Sequence, residues 1–240
     1  MSNTFRFVCP MYNASKTLPR MLHSLYGQSF SDWHLILIDD MSDLVHRVEC
    51  TSTLQLFDDI EYGKVTTIWN DKKLWETANV LKGISMCNDD DIICRIDADD
   101  CLSDLDALAI VDAAYVQTGC DIAWSKHRWA LSDKNISGPM PDDADPYNFP
   151  WVSSHLKTFR KRLINNINDI NFRGEDGNYV RRAGDQALYL PLLHDAKKRV
   201  FIDRVLYHYT INDVPATYQT DDAKFQRDEA LFLRARGYVP

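Results

Sequence analysis

The feature that most constrains this chain is an apolar run that ends in a cluster of carboxylates. Residues 92–96 are rich in β-branched side chains, which predicts a short buried strand. Asp97, Asp99 and Asp100 follow at once, so they are expected at the carboxyl edge of a sheet, where open α/β folds bind ligands. Carboxylates this close repel one another and favour a bound cation, and oxygen-only ligands suit Mg²⁺ or Mn²⁺. The alternative interpretation is an acidic N-cap for a helix that begins near Leu102.

The first hundred residues alternate between predicted strands and predicted helices. Apolar or alternating runs predict further strands at residues 5–9, 35–38 and 65–69. Apolar residues at helical spacing predict intervening helices at residues 15–26, 44–57 and 75–86. A strand–helix repeat of this kind predicts a doubly wound, parallel α/β sheet.

The second half of the chain is less regular. The patterns predict helices at residues 104–117, 185–193 and 224–236, strands at 121–131 and 200–209, and loops at 132–150 and 171–184, the second of them mobile. Lys157, Arg160 and Lys161 fall within residues 155–164, which we interpret as a short helix with a solvated basic face. No repeat or linker marks a boundary, so a single domain over residues 1–240 is expected.

Charge and cysteine content narrow the class of protein. The chain has 27 Lys and Arg residues against 35 Asp and Glu residues, a formal net charge of −8. This balance argues against a general nucleic-acid binder, which carries a basic field. No apolar run reaches transmembrane length. The six cysteines are scattered without a Cys-x-x-Cys pair and no signal peptide is visible, so a reducing, cytoplasmic location is expected.

Four short motifs, in order along the chain, resemble those of the family 2 glycosyltransferases. Residues 10–13 (PMYN) resemble the family's opening Pro-x-Tyr-Asn, and residues 35–42 (LILIDDMS) resemble the strand that ends in Asp-Asp-Gly-Ser. Residues 92–102 resemble the run into the Asp-x-Asp-Asp signature, and residues 184–186 (GDQ) resemble the later turn that carries the base. Together the motifs extend over residues 5–209, and a set of four in register is specific.

The resemblance implies a fold and an activity. The fold is GT-A: a Rossmann-like, mixed, mainly parallel α/β sheet flanked by helices, with residues 1–100 as the nucleotide-binding half and 101–240 as the acceptor-binding half. The activity is metal-dependent, inverting transfer of a sugar from a nucleotide-diphosphate donor, with a UDP-sugar favoured. The acceptor is a hydroxyl group on a glycan or glycoconjugate. The sequence makes no prediction of oligomeric state.

The resemblance also implies which residues carry the chemistry. Asp99, with Asp97 or Asp100 close by, would hold Mn²⁺ or Mg²⁺ against the diphosphate. Asp185 would be the general base that takes the proton from the acceptor hydroxyl during in-line attack. Asp185 has an alternative role as a helix N-cap, and the two roles are compatible. The family's late histidine corresponds to a place near Asn212.

The nucleotide is expected at the ends of the first two strands. By resemblance, Asp40 would accept a hydrogen bond from the nucleobase, from N3–H if the base is uracil. The alternative for Asp40 is a cap on the helix near Leu44. Pro10 and Tyr12 would line the base and ribose pocket, and Asp97 would also lie against the donor.

Basic and aromatic residues supply the remaining candidates. Arg181 and Arg182, in a glycine-bearing loop just before Asp185, are candidates to close over the diphosphate. Trp151 and His155 are candidates for the acceptor site, because aromatic rings cover the apolar CH faces of sugars.

Three rival functions remain open at this point. One is a glycosyltransferase that acts on a modified nucleobase in viral DNA, which the acidic charge disfavours. Another is a catalytically silent sugar-nucleotide binding module, which would lack the base at Asp185. A sugar nucleotidyltransferase would need a glycine-rich phosphate loop after the first strand, and residues 10–15 contain no glycine.

Overall fold

The computed structural model describes residues 3–129, 135–210 and 221–240. The strands are β1 Phe5–Met11, β2 Trp33–Asp39, β3 Val65–Trp69, β4 Ile92–Arg95, β5 Cys101–Leu102, β6 Ile122–Trp129, β7 Lys157–Arg160 and β8 Arg199–Tyr209. The α-helices are α1 Leu18–Tyr26, α2 Leu44–Asp58, α3 Trp75–Ile84, α4 Ala107–Thr118, α5 Gly184–Asp195 and α6 Asp221–Arg236. Two short 3-10 helices are Lys161–Asn166 and Asp169–Phe172.

These strands form one mixed sheet in the order β3-β2-β1-β4-β7-β6-β8-β5. The first four strands in this order run parallel, as the strand–helix repeat predicts. Strand β7 runs antiparallel to both β4 and β6, whereas β6 and β8 are parallel and β5 is antiparallel to β8. The predicted mixed, mainly parallel α/β sheet is therefore confirmed.

Alternation along the central strand explains the two helical layers. Phe5 and Phe7 of β1 point to one face of the sheet and pack with α1, α2 and α4. Val8 points to the other face and packs with α3 and α5. A strand that is buried on both faces and paired on both edges is rigid, so residues that follow its carboxyl end are held firmly in place.

Helix α3 lies unusually close to the sheet because Gly83 has no side chain. A Cβ atom at this position would lie 2.6 Å from Val8 Cγ1 and 3.0 Å from Ile38 Cδ1. The close approach fixes the height of α3 over β1 and β2, and therefore the position of the residues at the N-terminal end of the helix.

The second half of the chain departs from the predictions in one important place. The predicted short helix at residues 155–164 is wrong: residues Lys157–Arg160 form strand β7, and a 3-10 helix follows. Lys157 is only 1% exposed, so the predicted solvated basic face is also wrong at this residue. The physical reason is that a carboxylate distant in sequence, that of Asp185, pairs with the buried Lys157 ammonium. In the described parts of the chain, no helix is both long and apolar enough to cross a membrane.

We predict that Gly83→Ala lowers the free energy of unfolding by about 1 to 3 kcal/mol, because the added methyl group overlaps buried atoms of β1 and β2. Chemical denaturation measures this change. Gly138→Ala is the matched control, since its Cβ would meet nothing nearer than 4.0 Å. Equal stability of the two variants would contradict the close packing of α3.

Candidate active site

A cavity of about 520 Å³ opens at the carboxyl edge of the parallel strands. Strand β1 supplies Pro10 and is followed by Tyr12, β2 is followed by Asp40, and β4 is followed by Asp97. The remaining lining residues come from α3 and the loop before it, from β1 and β4, and from the segments around α5 and α6: Met11, Lys73, Trp75, Glu76, Asn79, Arg95, Arg181, Arg182 and Gln226. The structure thus brings together six of the residues that the sequence analysis assigned to the donor.

A second cavity, of about 380 Å³, adjoins the first. Both cavities are lined by Pro10, Tyr12 and Asp97, and the second is also lined by Asp99. Of the three aspartates in the acidic turn, Asp97 and Asp99 therefore line the cavities.

Asp100 behaves differently from its neighbours in the acidic turn. It is 1% exposed, and its carboxylate accepts hydrogen bonds from the Tyr207 hydroxyl at 2.8 Å and from the backbone N–H of Thr210 at 2.7 Å. Burial raises the pKa of Asp100 to about 8, and the nearby carboxylate of Asp97 adds to the increase. Asp100 joins the turn to the end of β8 and lines neither cavity, so it lies apart from Asp97 and Asp99, and its role as a metal ligand stays a prediction.

No three His, Cys, Asp or Glu side chains of the described residues are grouped as a metal site would need. Asn212, the place of the family's late histidine, lies outside the described residues. A divalent cation such as Mg²⁺ is commonly held by one or two carboxylates together with substrate phosphates. The positions of Asp97 and Asp99 fit a metal of this shared kind.

The two aspartates after β2 have separate partners. Asp39 is fully buried and accepts hydrogen bonds from the backbone N–H of Ser42 and from Arg47. Asp40 lines the cavity, and its two carboxylate oxygens accept from the N–H groups of Leu74 at 2.7 Å and Trp75 at 3.1 Å. The capping interaction of Asp40 is therefore with α3, not with the helix at Leu44.

A buried guanidinium group joins the cavity to the candidate base. Arg95 Nη2 lies 2.5 Å from Glu76 Oε1 and 2.9 Å from Asp97 Oδ1, and Arg95 Nη1 lies 2.7 Å from Asp185 Oδ1. The Arg95 side chain is 6% exposed. One buried guanidinium group thus pairs with three carboxylates.

Lys157 is the second buried cation at this site. Its Nζ lies 2.6 Å from Asp185 Oδ1. Arg95 and Lys157 are opposite one another in the antiparallel β4–β7 ladder, so their side chains leave the sheet on the same face, towards α3 and α5. The two cations hold Asp185 from two neighbouring strands.

The charges in this cluster shift the pKa values of its carboxylates in opposite directions. Burial raises the pKa of Asp185, but the cations of Lys157 and Arg95 outweigh it and hold the pKa well below its usual range. Burial raises the pKa of Glu76 to about 7; Arg95 opposes the increase, and the negative charges of Asp185 and Asp97 add to it. Asp185 is therefore ionised at neutral pH.

Gly184 allows this cluster to form. It is the first residue of α5, and a Cβ at this position would lie 2.5 to 2.8 Å from the carboxylate atoms of Glu76. Any larger residue would push Glu76 away from Arg95. The φ of Gly184 is not in the left-handed region, so backbone conformation does not require a glycine here. The close packing against Glu76 does.

A carboxylate from α6 holds the segment that carries the two arginines. Glu229 accepts hydrogen bonds from the backbone N–H groups of Arg181 at 2.9 Å, Arg182 at 2.8 Å and Ala183 at 3.0 Å. The side chain of Arg182 also pairs with Asp222 at 2.6 Å. We name this interaction of Glu229 with residues 181–183 the Glu229 clasp.

The two candidate acceptor residues lie away from the cavity lining. His155 is 5% exposed and stacks on Tyr207, with ring centroids 4.6 Å apart. Burial, with the charge of Lys157, lowers the pKa of His155 well below its usual value. Trp151 is half-buried, and its ring centroid lies 5.7 Å from Lys157 Nζ. Their contact with an acceptor stays a prediction, and His155 would need its aromatic neighbours to open.

Sequence reasoning missed Glu76, Lys157 and Glu229. Glu76 and Glu229 are single charged residues with no motif around them, and Lys157 lies in a basic run that indicates a solvated face. Their significance lies in partners that are 19 to 48 positions away along the chain. The nearest thing to a signal was the unusual placement of Arg95 inside an apolar strand, which requires buried carboxylates from elsewhere.

Comparisons with known proteins agree with this geometry. The family model for glycosyl transferase family 2 matches residues 7–171. No curated protein sequence matches the chain significantly.

Solved structures share the fold at low sequence identity. TarS of S. aureus superposes with a TM-score of 0.66 and 16% identity, covering 87% of this chain and 37% of TarS. The 1–349 fragment of S. aureus TarS in complex with UDP-GlcNAc gives a TM-score of 0.63 and 16% identity, covering 90% of this chain and 61% of the fragment. Mannosyltransferase PcManGT from Pyrobaculum calidifontis, in complex with GDP-Man and Mn²⁺, gives a TM-score of 0.67 and 12% identity, covering 100% of this chain and 66% of PcManGT.

These similarities show a GT-A fold. The chain spans less than two thirds of the length of the TarS chains it resembles.

We predict that Glu229→Ala accelerates hydrogen exchange at the backbone amides of residues 181–183, because three N–H groups lose one shared acceptor. The free energy of unfolding should also fall by about 1 to 3 kcal/mol. Amide exchange read by NMR or mass spectrometry measures the local effect. Asp228→Ala, one residue earlier on the exposed face of α6, is the control. Similar exchange rates in the two variants would contradict the clasp.

Proposed function

The chain belongs to glycosyl transferase family 2, and we propose that it is a metal-dependent, inverting glycosyltransferase. It would move a sugar from a nucleotide-diphosphate donor to a hydroxyl group on a glycan or glycoconjugate. One observation carries the proposal: a cavity at the carboxyl edge of the sheet joins Asp40 and Asp97 to Arg181 and Arg182, and Arg95 connects this cavity to Asp185. Residues 1–100 would form the nucleotide-binding half, and 101–240 the acceptor-binding half.

The donor would lie across the cavity from strand β2 towards α5. Pro10 and Tyr12 would flank the nucleobase and ribose, and Asp40 would accept a hydrogen bond from the base. Each carboxylate oxygen of Asp40 accepts one backbone N–H and, as a carboxylate oxygen, can accept a second hydrogen bond; Lys73 Nζ lies 3.9 Å from Oδ2. TarS 1–349 has been solved in complex with UDP and with UDP-GlcNAc, and PcManGT in complex with GDP-Man, which supports a nucleotide-sugar donor. We propose a UDP-sugar and treat GDP-mannose as the competing donor.

Asp97 and Asp99 would hold Mn²⁺ or Mg²⁺ together with the diphosphate. When bound, the cation supplies positive charge that stabilises the departing nucleoside diphosphate. Asp97 is also paired with Arg95. Burial raises the pKa of Asp97, and the Arg95 guanidinium opposes that increase and holds the carboxylate beside the cavity.

Asp185 would be the general base. The acceptor oxygen would form the new bond to the anomeric carbon, the bond from that carbon to the diphosphate oxygen would break with its electrons, and the hydroxyl proton would pass to Asp185. A carboxylate held at low pKa is a weak base but is always ionised and well oriented. Arg95 and Lys157 would supply this orientation. Trp151 and His155 remain candidates for contact with the acceptor sugar.

The test of the proposed function is release of nucleoside diphosphate from a panel of UDP- and GDP-sugars, with Mn²⁺, Mg²⁺ or chelator. We expect slow, metal-dependent hydrolysis of one donor by the wild type, and a decrease of about 100-fold or more in Asp99→Asn. Asp90→Asn, in an exposed turn before β4, is the matched control. Wild-type protein that binds no donor, or hydrolysis that is indifferent to chelator, would refute metal-dependent transfer.

A second prediction concerns pH. Lys157 lowers the pKa of Asp185, so Lys157→Met should raise that pKa. Because the base acts in its ionised form, the acidic limb of the kcat/KM profile should move to higher pH in this variant. A variant that removes the base itself, Asp185→Asn, should lose transfer and retain donor binding. Lys161→Met, whose parent residue pairs with Asp89, is the control. An unmoved acidic limb in Lys157→Met would argue against Asp185 as the base.

A further inference from the structure

Trp75 has a backbone conformation that is unfavourable for a tryptophan. Its φ is 67°, in the left-handed region, where a bulky side chain is strained. The carboxylate of Asp40 holds this conformation, because it accepts hydrogen bonds from the N–H groups of both Leu74 and Trp75. Glycine would adopt the same conformation without strain. The tryptophan side chain must therefore contribute something that glycine would lose.

The indole ring is not needed for the core. Trp75 is half-buried, belongs to none of the buried apolar clusters formed by the described residues, and lines the 520 Å³ cavity. What it contacts is positive charge. The guanidinium carbons of Arg182 and Arg181 lie 5.1 and 6.0 Å from its ring centroid, and Lys73 Nζ lies at 5.2 Å.

The three cations come from two distant parts of the chain. Lys73 precedes α3 and also lies over the Tyr12 ring, with Nζ 3.3 Å from the centroid. Arg181 and Arg182 precede α5 and are fixed in their backbone by the Glu229 clasp. Trp75 is thus the surface on which cations from both sides of the cavity meet, and attraction to the face of an indole ring can hold them there.

The outer contacts of the arginines show what the ring does for them. Arg182 pairs with Asp222 at 2.6 Å, and Arg181 lies 3.7 Å from Asp176. Both of these carboxylates are solvent-exposed, and exposed ion pairs hold side chains weakly. Contact with Trp75 supplies a second, apolar and aromatic support on the cavity side of the guanidinium groups.

We propose that Trp75 is a positioning residue that holds Arg181 and Arg182 as a cationic clamp for the diphosphate of the donor. Lys73 also contacts the ring, but it lies over Tyr12 and 3.9 Å from Asp40, at the nucleoside end of the cavity. The proposal rests on the proposed function, because it takes the cavity as the nucleotide site. The clamp acts on the phosphate furthest from the nucleoside, so it contributes to binding of a nucleoside diphosphate more than to binding of the monophosphate. If the clamp exists, its loss should weaken binding of the nucleoside diphosphate more than binding of the monophosphate.

The test compares dissociation constants of UDP and UMP, and of GDP and GMP, by calorimetry at fixed Mg²⁺ concentration. We expect Trp75→Gly to be as stable to heat as the wild type, since lost contacts are offset by relief of strain, yet to bind the diphosphate about tenfold more weakly. Binding of the monophosphate should change less than about twofold. Met41→Gly is the matched control: Met41 also has a positive φ, of 66°, but does not line the cavity.

A second pair of variants separates the ring from the backbone. Trp75→Phe and Trp75→Leu retain the same backbone strain and differ in whether an aromatic face is present. The diphosphate preference should be retained in Trp75→Phe and reduced in Trp75→Leu. Equal preference in these two variants, or an unchanged preference in Trp75→Gly, would overturn the clamp alone. If the wild type binds none of the four nucleotides, the proposed function fails and the clamp with it.

Discussion

The buried guanidinium of Arg95 is the interaction on which the rest of the site depends. An arginine side chain does not lose its proton inside a protein, so burial of Arg95 requires carboxylates within contact distance. Glu76, Asp97 and Asp185 meet this requirement from α3, from the end of β4 and from α5. A buried ion cluster adds little net stability, because desolvation offsets the attraction, but loss of one partner is strongly unfavourable. The cluster therefore fixes geometry more than it stabilises the fold.

The carboxylate partners of Arg95 on helices α3 and α5 can reach it only because these helices lie close to the sheet and to each other. Gly83 sets α3 close to the sheet, and Gly184 lets the start of α5 approach Glu76. Both helices then present carboxylates near their N-terminal ends, where the helix dipole favours negative charge. Lys157 completes the cluster from β7, directly opposite Arg95. The candidate base and the candidate donor site are therefore connected through the ion pairs of Arg95.

Much of the fold could be predicted from the sequence, because the pattern that marks each strand or helix lies within its own segment. The parallel strands that end at Asp40 and Asp97 are continuous apolar runs, and such runs are recognisable without their neighbours. Strand β7 could not be predicted, because Lys157–Arg160 carries two cations in four residues and looks solvated. In the site, the acidic motif indicated Asp97 and the glycine-bearing loop indicated Arg181 and Arg182, and all three line one cavity. The sequence did not indicate Glu76, Trp75 or Glu229 as residues of the site.

By itself, the sequence determined which side chains follow the ends of the central strands, because strand period and burial fix where a strand stops and which way it points. Only the tertiary structure decided which charges meet. Asp99 and Asp100 are adjacent and chemically identical, yet one lines a cavity and the other is buried against Tyr207. Lys157 is one basic residue among several, yet it is buried and pairs with Asp185. The free energy of a buried charge depends on partners that distant segments bring to it, and no local pattern encodes that.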